Sequence, residues 1–199
     1  MEPWRQLIAK RLVHSRMALE VLESSSEVLA RLVGCVTDCL SAGGTLFTCG
    51  NGGSAAEAMH MAEELVGRYR SNRPPLRANC LNADPTALTC IANDFGFEEV
   101  FARPLRALGR RGDALLVFST SGRSPNLLRA LEAARERGVT CLGLLGGEGG
   151  PALELCHTAL VVHGCDGAAV QEAHQVAMHI ICEALEEAVL PAGVEEDHQ

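Results

Sequence analysis

The chain has 199 residues, 47% of them apolar, which suits a single globular domain with a full hydrophobic core. Its formal charge of −8 argues against a nucleic-acid surface as the main business, because phosphate backbones are bound by clustered Lys and Arg. A small anionic ligand is therefore expected to be held by backbone N–H groups, hydroxyls and a few arginines.

Met1-Glu2-Pro3-Trp4-Arg5 lacks the basic-then-apolar layout of a secretion leader. No apolar run is long enough to span a bilayer, so the expected compartment is the cytosol, with no membrane partner. Residues 3 to 23 carry Leu7, Ile8, Leu12, Met17, Val21 and Leu22 among charged neighbours, which predicts an amphipathic helix. Ser24-Ser25-Ser26 interrupts it. A second helix over 26 to 41 ends at Gly43-Gly44, a helix stop. Two helices before the first strand are more than one small sheet needs for cover, so surplus apolar surface is expected to pack on another subunit.

Thr45 to Cys49 predicts an apolar strand, Gly50-Asn51-Gly52-Gly53-Ser54 a turn, and the Ala- and Met-rich run up to Gly67 a helix. Glycines let the backbone turn sharply and present bare N–H groups, and the helix adds its positive end, so the loop suits an anion such as a phosphate. His60 and Glu64, one turn apart, project from one helix face. Taken singly, such a loop is often only a turn and such a pair only a solvated stabiliser. Their coincidence on one element points to a phosphorylated substrate with proton or metal chemistry beside it. Neither a Gly-Lys-Ser/Thr nor a Gly-x-Gly-x-x-Gly pattern is present, which removes the common nucleotide-binding loops.

The basic, proline-ended loop 68 to 75 follows, in which Arg68 or a neighbour could reach an anionic ligand or simply be solvated. Residues 77 to 81 predict a short strand, 86 to 92 a helical turn, and 98 to 108 a helix. Between them, Asn93 and Asp94 are caps by spacing alone, with hydroxyl binding as the alternative. Strand 114 to 118 then leads into Ser119-Thr120-Ser121-Gly122-Arg123-Ser124 and a helix opened by Pro125, a second site suited to an anion. A strand over 140 to 144, a glycine loop, a helical turn and a strand over 159 to 162 complete the alternation. The fold class is α/β, with helices on both faces of a parallel sheet and ligands at the carboxyl ends of its strands.

The last helix, 167 to 189, places Gln171 and His179 within about 80° of one another on the same side. If they face His60 and Glu64, two helices deliver nitrogen and oxygen ligands suited to zinc or a similar divalent ion. Residues 190 to 199 are expected to be an acidic tail. The nine cysteines show no paired metal-ligand spacing and are expected to be reduced core thiols.

Several segments, in order from about residue 40 to 187, resemble the phosphoheptose isomerase family of the sugar isomerase (SIS) fold. They are Cys49-Gly-Asn-Gly-Gly-Ser54, Met59-His-Met-Ala-Glu-Glu-Leu-Val-Gly-Arg-Tyr-Arg70, Asn93-Asp-Phe-Gly-Phe97, Phe118-Ser-Thr-Ser-Gly-Arg-Ser124 and Val170-Gln-Glu-Ala-His174 with His179. The resemblance implies a single SIS domain of the three-layer, flavodoxin-like kind over 1–199, with oligomerisation helices in 1–42, a core over 43–189 and a tail over 190–199. It implies a homotetramer with sites between subunits that converts sedoheptulose 7-phosphate into glycero-manno-heptose 7-phosphate.

By the same resemblance Asn51, Gly52, Gly53 and Ser54 form the first substrate loop, and Ser119, Thr120, Ser121 and Ser124 grip the phosphate. Asn93 and Asp94 touch the sugar, with Arg68 nearby; Gln171 also lies against the substrate. His60, Glu64, Gln171 and His179 hold one zinc ion, and Glu64 and His179 carry the acid/base work. Two positions depart from the family pattern: Arg123 stands where asparagine is usual and Ala169 where arginine is usual. A non-catalytic SIS protein that binds a sugar phosphate or a replication-initiator partner is the competing reading, and an isomerase or epimerase of another sugar phosphate a third.

Overall fold

The computed structural model describes residues 2–189. The chain begins with helices α1 (Glu2–Ser24) and α2 (Ser26–Ser41), followed by β1 (Leu46–Gly50), α3 (Gly53–Val66) and β2 (Ala78–Cys80). Next come α4 (Pro85–Phe95), a 3-10 turn at Phe97–Glu99, α5 (Ala102–Leu108), β3 (Ala114–Ser119) and α6 (Pro125–Arg137). β4 (Thr140–Gly146), α7 (Gly150–Leu155), β5 (Thr158–Val162) and α8 (Gly167–Val189) complete the order. The expected tail lies outside the described residues.

All strand pairs are parallel, in the order β2-β1-β3-β4-β5. In the strands apolar residues run almost continuously, yet their side chains alternate between two cores. Leu46, Ala114, Leu116, Phe118, Leu142 and Leu144 face a core shared with α1, α2, α3 and α8. Phe47, Cys49, Leu115, Val117, Cys141 and Leu145 face the other, shared with α5, α6 and α7. Three layers result, and the order reverses between β1 and β3, where α/β folds of this kind open a ligand crevice.

Two elements differ from expectation. The helical turn at 86 to 92 is a full helix, α4, and Asn93 and Asp94 lie inside it. Asp84 caps it by accepting from the Thr86 and Ala87 N–H groups, both at 2.9 Å, with Pro85 in the first turn. No residue of α4 is fully buried, which explains the weak periodic signal. The helix expected over 98 to 108 is split at Val100, leaving a 3-10 turn and the seven residues of α5.

Helix α1 docks on α8 through buried Ala18 and Leu22 and an ionic cluster at the start of α8. There Arg11 and His14 reach Asp166 at 2.8 and 2.6 Å. The same carboxylate accepts from the Ala169 N–H, and these partners hold it well below the usual carboxylate range, the His14 contact contributing most. Trp4, Leu7, Ile8, Leu12 and Met17 stay exposed on α1. Helix α8 has no membrane-spanning character, and no helix among the described residues is long and apolar enough to cross a membrane.

All nine cysteines are free, as expected. Burial pushes the thiols of Cys39 and Cys141 up to about 11 and those of Cys156 and Cys182 up to about 12. Cys90, exposed on α4, is the departure from a core role.

Candidate active site

The parallel order sets α3 and α8 side by side on one face of the sheet, running in the same direction, so their residues meet in register. His60 and Glu64 on α3 meet His179 on α8, and one ligand atom from each lies within 4.8 Å of the others. His60 Nε2 is 2.9 Å from Glu64 Oε1, the helical i,i+4 contact that the spacing predicts. The imidazoles of His60 and His179 pack edge to face with centroids 5.3 Å apart, and Tyr69 covers His179 at 5.4 Å. All three cluster residues are half-buried. Burial lowers the pKa of His179, and the His60 and Arg70 charges lower it further against the pull of Glu64. Two imidazoles and a carboxylate fit a divalent ion of the zinc type in number and kind.

Gln171 occupies a different place from His179. Its amide Nε2 reaches Ser54 Oγ at 3.5 Å, and a Cβ on Gly53 would collide with that amide. Gly53 thus leaves the Gln171 side chain its place where α8 approaches the first loop. One turn on, Gln175 lies between the histidines, its Nε2 at 2.7 Å from His60 Nδ1 and 3.2 Å from His179 Nε2. Sequence reasoning assigned Gln175 no role, although it is four residues from both Gln171 and His179 and so shares their helix face.

The two hydroxyl and glycine loops leave adjacent strands, β1 and β3, at their carboxyl ends. A reciprocal amide pair ties them: Asn51 Nδ2 donates to Asn126 Oδ1 at 2.9 Å, and Asn126 Nδ2 donates back to Asn51 Oδ1 at 2.8 Å. Asn126, on the first turn of α6 and buried, was not singled out in the sequence and carries no local signal there. Asn82 braces the first loop by accepting from Gly50 N–H and donating to its carbonyl. Gly52 takes φ +58° at the turn into α3.

In the second loop Ser119 Oγ accepts from Gly122 N–H at 2.9 Å and Ser121 Oγ from Arg123 N–H at 3.3 Å. Ser119 is buried, Thr120 and Ser124 half-buried and Ser121 exposed. Gly122, at φ +61°, leaves no room for a side chain because the Gly149 carbonyl lies against it. The loop presents hydroxyls and the start of α6, a set suited to a phosphoryl group.

Three expected substrate residues make only local bonds. Asn93 donates to Asp94 at 2.7 Å, both exposed, and Arg68 makes a long 3.5 Å contact with the Arg70 carbonyl. None of these hydrogen bonds reaches the His–Glu cluster. The buried arginine of the basic loop is Arg73, whose guanidinium bonds the carbonyls of Glu64 and Leu65 at the end of α3 and pairs with Glu186 at 3.2 Å. Glu186 also accepts from the N–H groups of Tyr69, Arg70 and Ser71, which fixes this loop against α8.

Two further buried side chains keep polar atoms without a hydrogen-bond partner among the described residues. Neither carboxylate oxygen of Glu57, on the core face of α3, has a hydrogen-bond partner among the described residues. Burial raises its pKa to about 7, outweighing the nearby Ser54 hydroxyl. His174 bonds the Leu145 carbonyl through Nε2, its Nδ1 is unpaired, and burial lowers its pKa to about 4.

A SIS-domain family model matches residues 13–146. A phosphoheptose isomerase of Bradyrhizobium sp. strain BTAi1 is 44% identical over 187 residues, covering 92% of this chain and 94% of that protein. Phosphoheptose isomerase 1 of Campylobacter jejuni is 42% identical over 181 residues, covering 91% and 97%. Among solved structures, the phosphoheptose isomerase of Neisseria gonorrhoeae superposes with a TM-score of 0.86 at 35% identity over 92% of this chain and 99% of that one. That of Francisella tularensis gives 0.88 at 30% identity over 94% and 100%. A three-layer SIS fold, glycine and serine loops at its switch point and similarity along nearly the whole chain lead to one conclusion: this protein belongs to the phosphoheptose isomerase family of SIS-domain proteins.

Proposed function

We propose that the chain is an isomerase that converts sedoheptulose 7-phosphate into glycero-manno-heptose 7-phosphate. The observation that carries this reading is the convergence of His60, Glu64 and His179 from two distant helices within 4.8 Å. Ketose-to-aldose conversion moves a proton between C1 and C2 through an enediol, and it needs a base and an acid held on adjacent atoms. Glu64 is the base that takes the proton from carbon, and His179 the acid that protonates the carbonyl oxygen. The hydroxyls of Ser119, Thr120, Ser121 and Ser124 hold the phosphate, and the loop from Asn51 to Ser54, with Gln171 against it, holds the sugar. Gripping the phosphate far from the reacting carbons orients the open chain.

His60, Glu64 and His179, with an amide from α8, are the residues that would hold zinc; the resemblance supplies Gln171 as that amide. When bound, such an ion supplies Lewis-acid stabilisation of oxygen charge. Asn93, Asp94 and Arg68 complete the substrate set in this reading, and subunit contacts through the apolar face of α1 in a cytosolic homotetramer would bring them to it.

Purified protein supplied with zinc and sedoheptulose 7-phosphate is expected to form the aldose, and Glu64→Gln to lower turnover roughly 10²- to 10⁴-fold. A variant that keeps full turnover removes Glu64 from the chemistry. Absence of turnover in the wild type moves the assignment to a sugar-phosphate-binding protein.

A further inference from the structure

The amide of Gln175 sits where no expectation placed a functional residue. Its Nε2 lies 2.7 Å from His60 Nδ1 and 3.2 Å from His179 Nε2, on a half-buried stretch of α8. An amide nitrogen carries two N–H groups, so this orientation covers one lone pair on each ring. The consequence for His60 follows from that orientation. With Nδ1 accepting, its proton resides on Nε2, directed at Glu64 Oε1 2.9 Å away. An Nε2 that carries a proton has no lone pair for a cation, so the cluster is closed by its own hydrogen bonds.

Rotating the Gln175 amide by half a turn exchanges donor for acceptor. Oε1 then accepts the His60 Nδ1 proton, and His60 Nε2 presents a lone pair beside the Glu64 carboxylate. The N–H donor is also withdrawn from His179 Nε2. Ligating histidines commonly give their second ring N–H to an oxygen acceptor, which fixes the tautomer and ring direction. We propose that Gln175 is the positioning residue that sets the tautomer of His60, and that its amide orientation decides whether the His60–Glu64–His179 cluster can take a divalent cation. This rests on the metal reading given above and adds to it a residue four positions from Gln171, whose own amide is engaged at Ser54.

The test compares wild type with Gln175→Leu and Gln175→Glu. Imidazole 15N shifts of the metal-free proteins report the His60 tautomer, and competition with a chromophoric chelator reports zinc affinity. Wild type is expected to show the Nε2–H form of His60, Gln175→Leu a mixture of tautomers, and Gln175→Glu the Nδ1–H form, since a carboxylate only accepts. Zinc affinity is expected to fall roughly 10- to 100-fold in Gln175→Leu and to recover in Gln175→Glu. Thermal melts of the metal-free variants show whether α8 still packs. Identical His60 shifts and equal affinity in folded Gln175→Leu overturn the proposal and leave the metal reading standing. A wild type that binds no zinc overturns the metal reading and this proposal with it.

Discussion

Two carboxylates are buried along the seam between α3 and α8, and their surroundings are opposite. Glu186 accepts from three successive backbone N–H groups and from the Arg73 guanidinium, itself fully enclosed. Glu57, 6% exposed, has no partner for either oxygen among the described residues. A buried charge that is paired and fully hydrogen-bonded is a structural clamp; one without partners is held neutral by desolvation instead. The clamp lies behind the cluster, holding the loop after α3 against α8, and the unpaired group lies ahead of it, beside Ser54 of the glycine loop. Rigidity on one side and an unsatisfied polar group on the other therefore frame the same His60–Glu64–His179 cluster.

Breaking the clamp has the largest expected effect on stability. Glu186→Ala strands the Arg73 guanidinium in the interior and leaves three N–H groups without their acceptor, which costs about 3–5 kcal/mol, read as a lower urea midpoint. An unchanged midpoint would show that the seam does not depend on this pair.

The other carboxylate responds to pH. A carboxyl raised from 4.5 to about 7 on folding makes the folded state hold the extra proton between those values, so stability falls as pH rises through that window and levels off above it. His174, lowered from 6.5 to about 4, does the reverse: the unfolded chain holds the extra proton and stability rises with pH over 4 to 6.5. The two slopes oppose each other where they overlap. Glu57→Gln is expected to match wild type near pH 4 and to exceed it near pH 7.5 by up to about 3 kcal/mol, in urea midpoints taken at both. A constant difference at the two pH values refutes the neutral-carboxyl account.

The smallest effect belongs to the loop pair. Asn126→Ala removes both bonds to Asn51 and is expected to destabilise by about 1–2 kcal/mol and raise KM several-fold with little change in kcat. Loss of kcat with KM unchanged would place the pair nearer the chemistry than its geometry does.

The elements that repeat the strand-loop-helix design were legible because each carries its own local signal. Strand β3 is an apolar run, the serine loop follows it, and Pro125 opens α6 in the position that proline favours. His60 and Glu64 were legible as a pair for the same reason, being one turn apart. Helix α4 was under-read because it buries no residue fully, so Asn93 and Asp94 looked like loop caps. Arg73, Glu186 and Asn126 could not be singled out, since each finds its side-chain partner 75 or more residues away. In the basic loop the arginine that matters structurally is Arg73, and nothing in its neighbours distinguishes it from Arg68 or Arg70.

By itself the sequence determined the alternation of strands and helices, the two anion-suited loops and the helix faces that carry His60, Glu64, Gln171 and His179, because these depend on period, glycine and proline chemistry within a few residues. The tertiary structure alone decided that Gln171 turns to Ser54 while Gln175 stands between the histidines, and that Glu186 is satisfied while Glu57 is not. Those outcomes depend on how far α8 slides along α3, and that register is set by packing across the sheet, which no local pattern encodes.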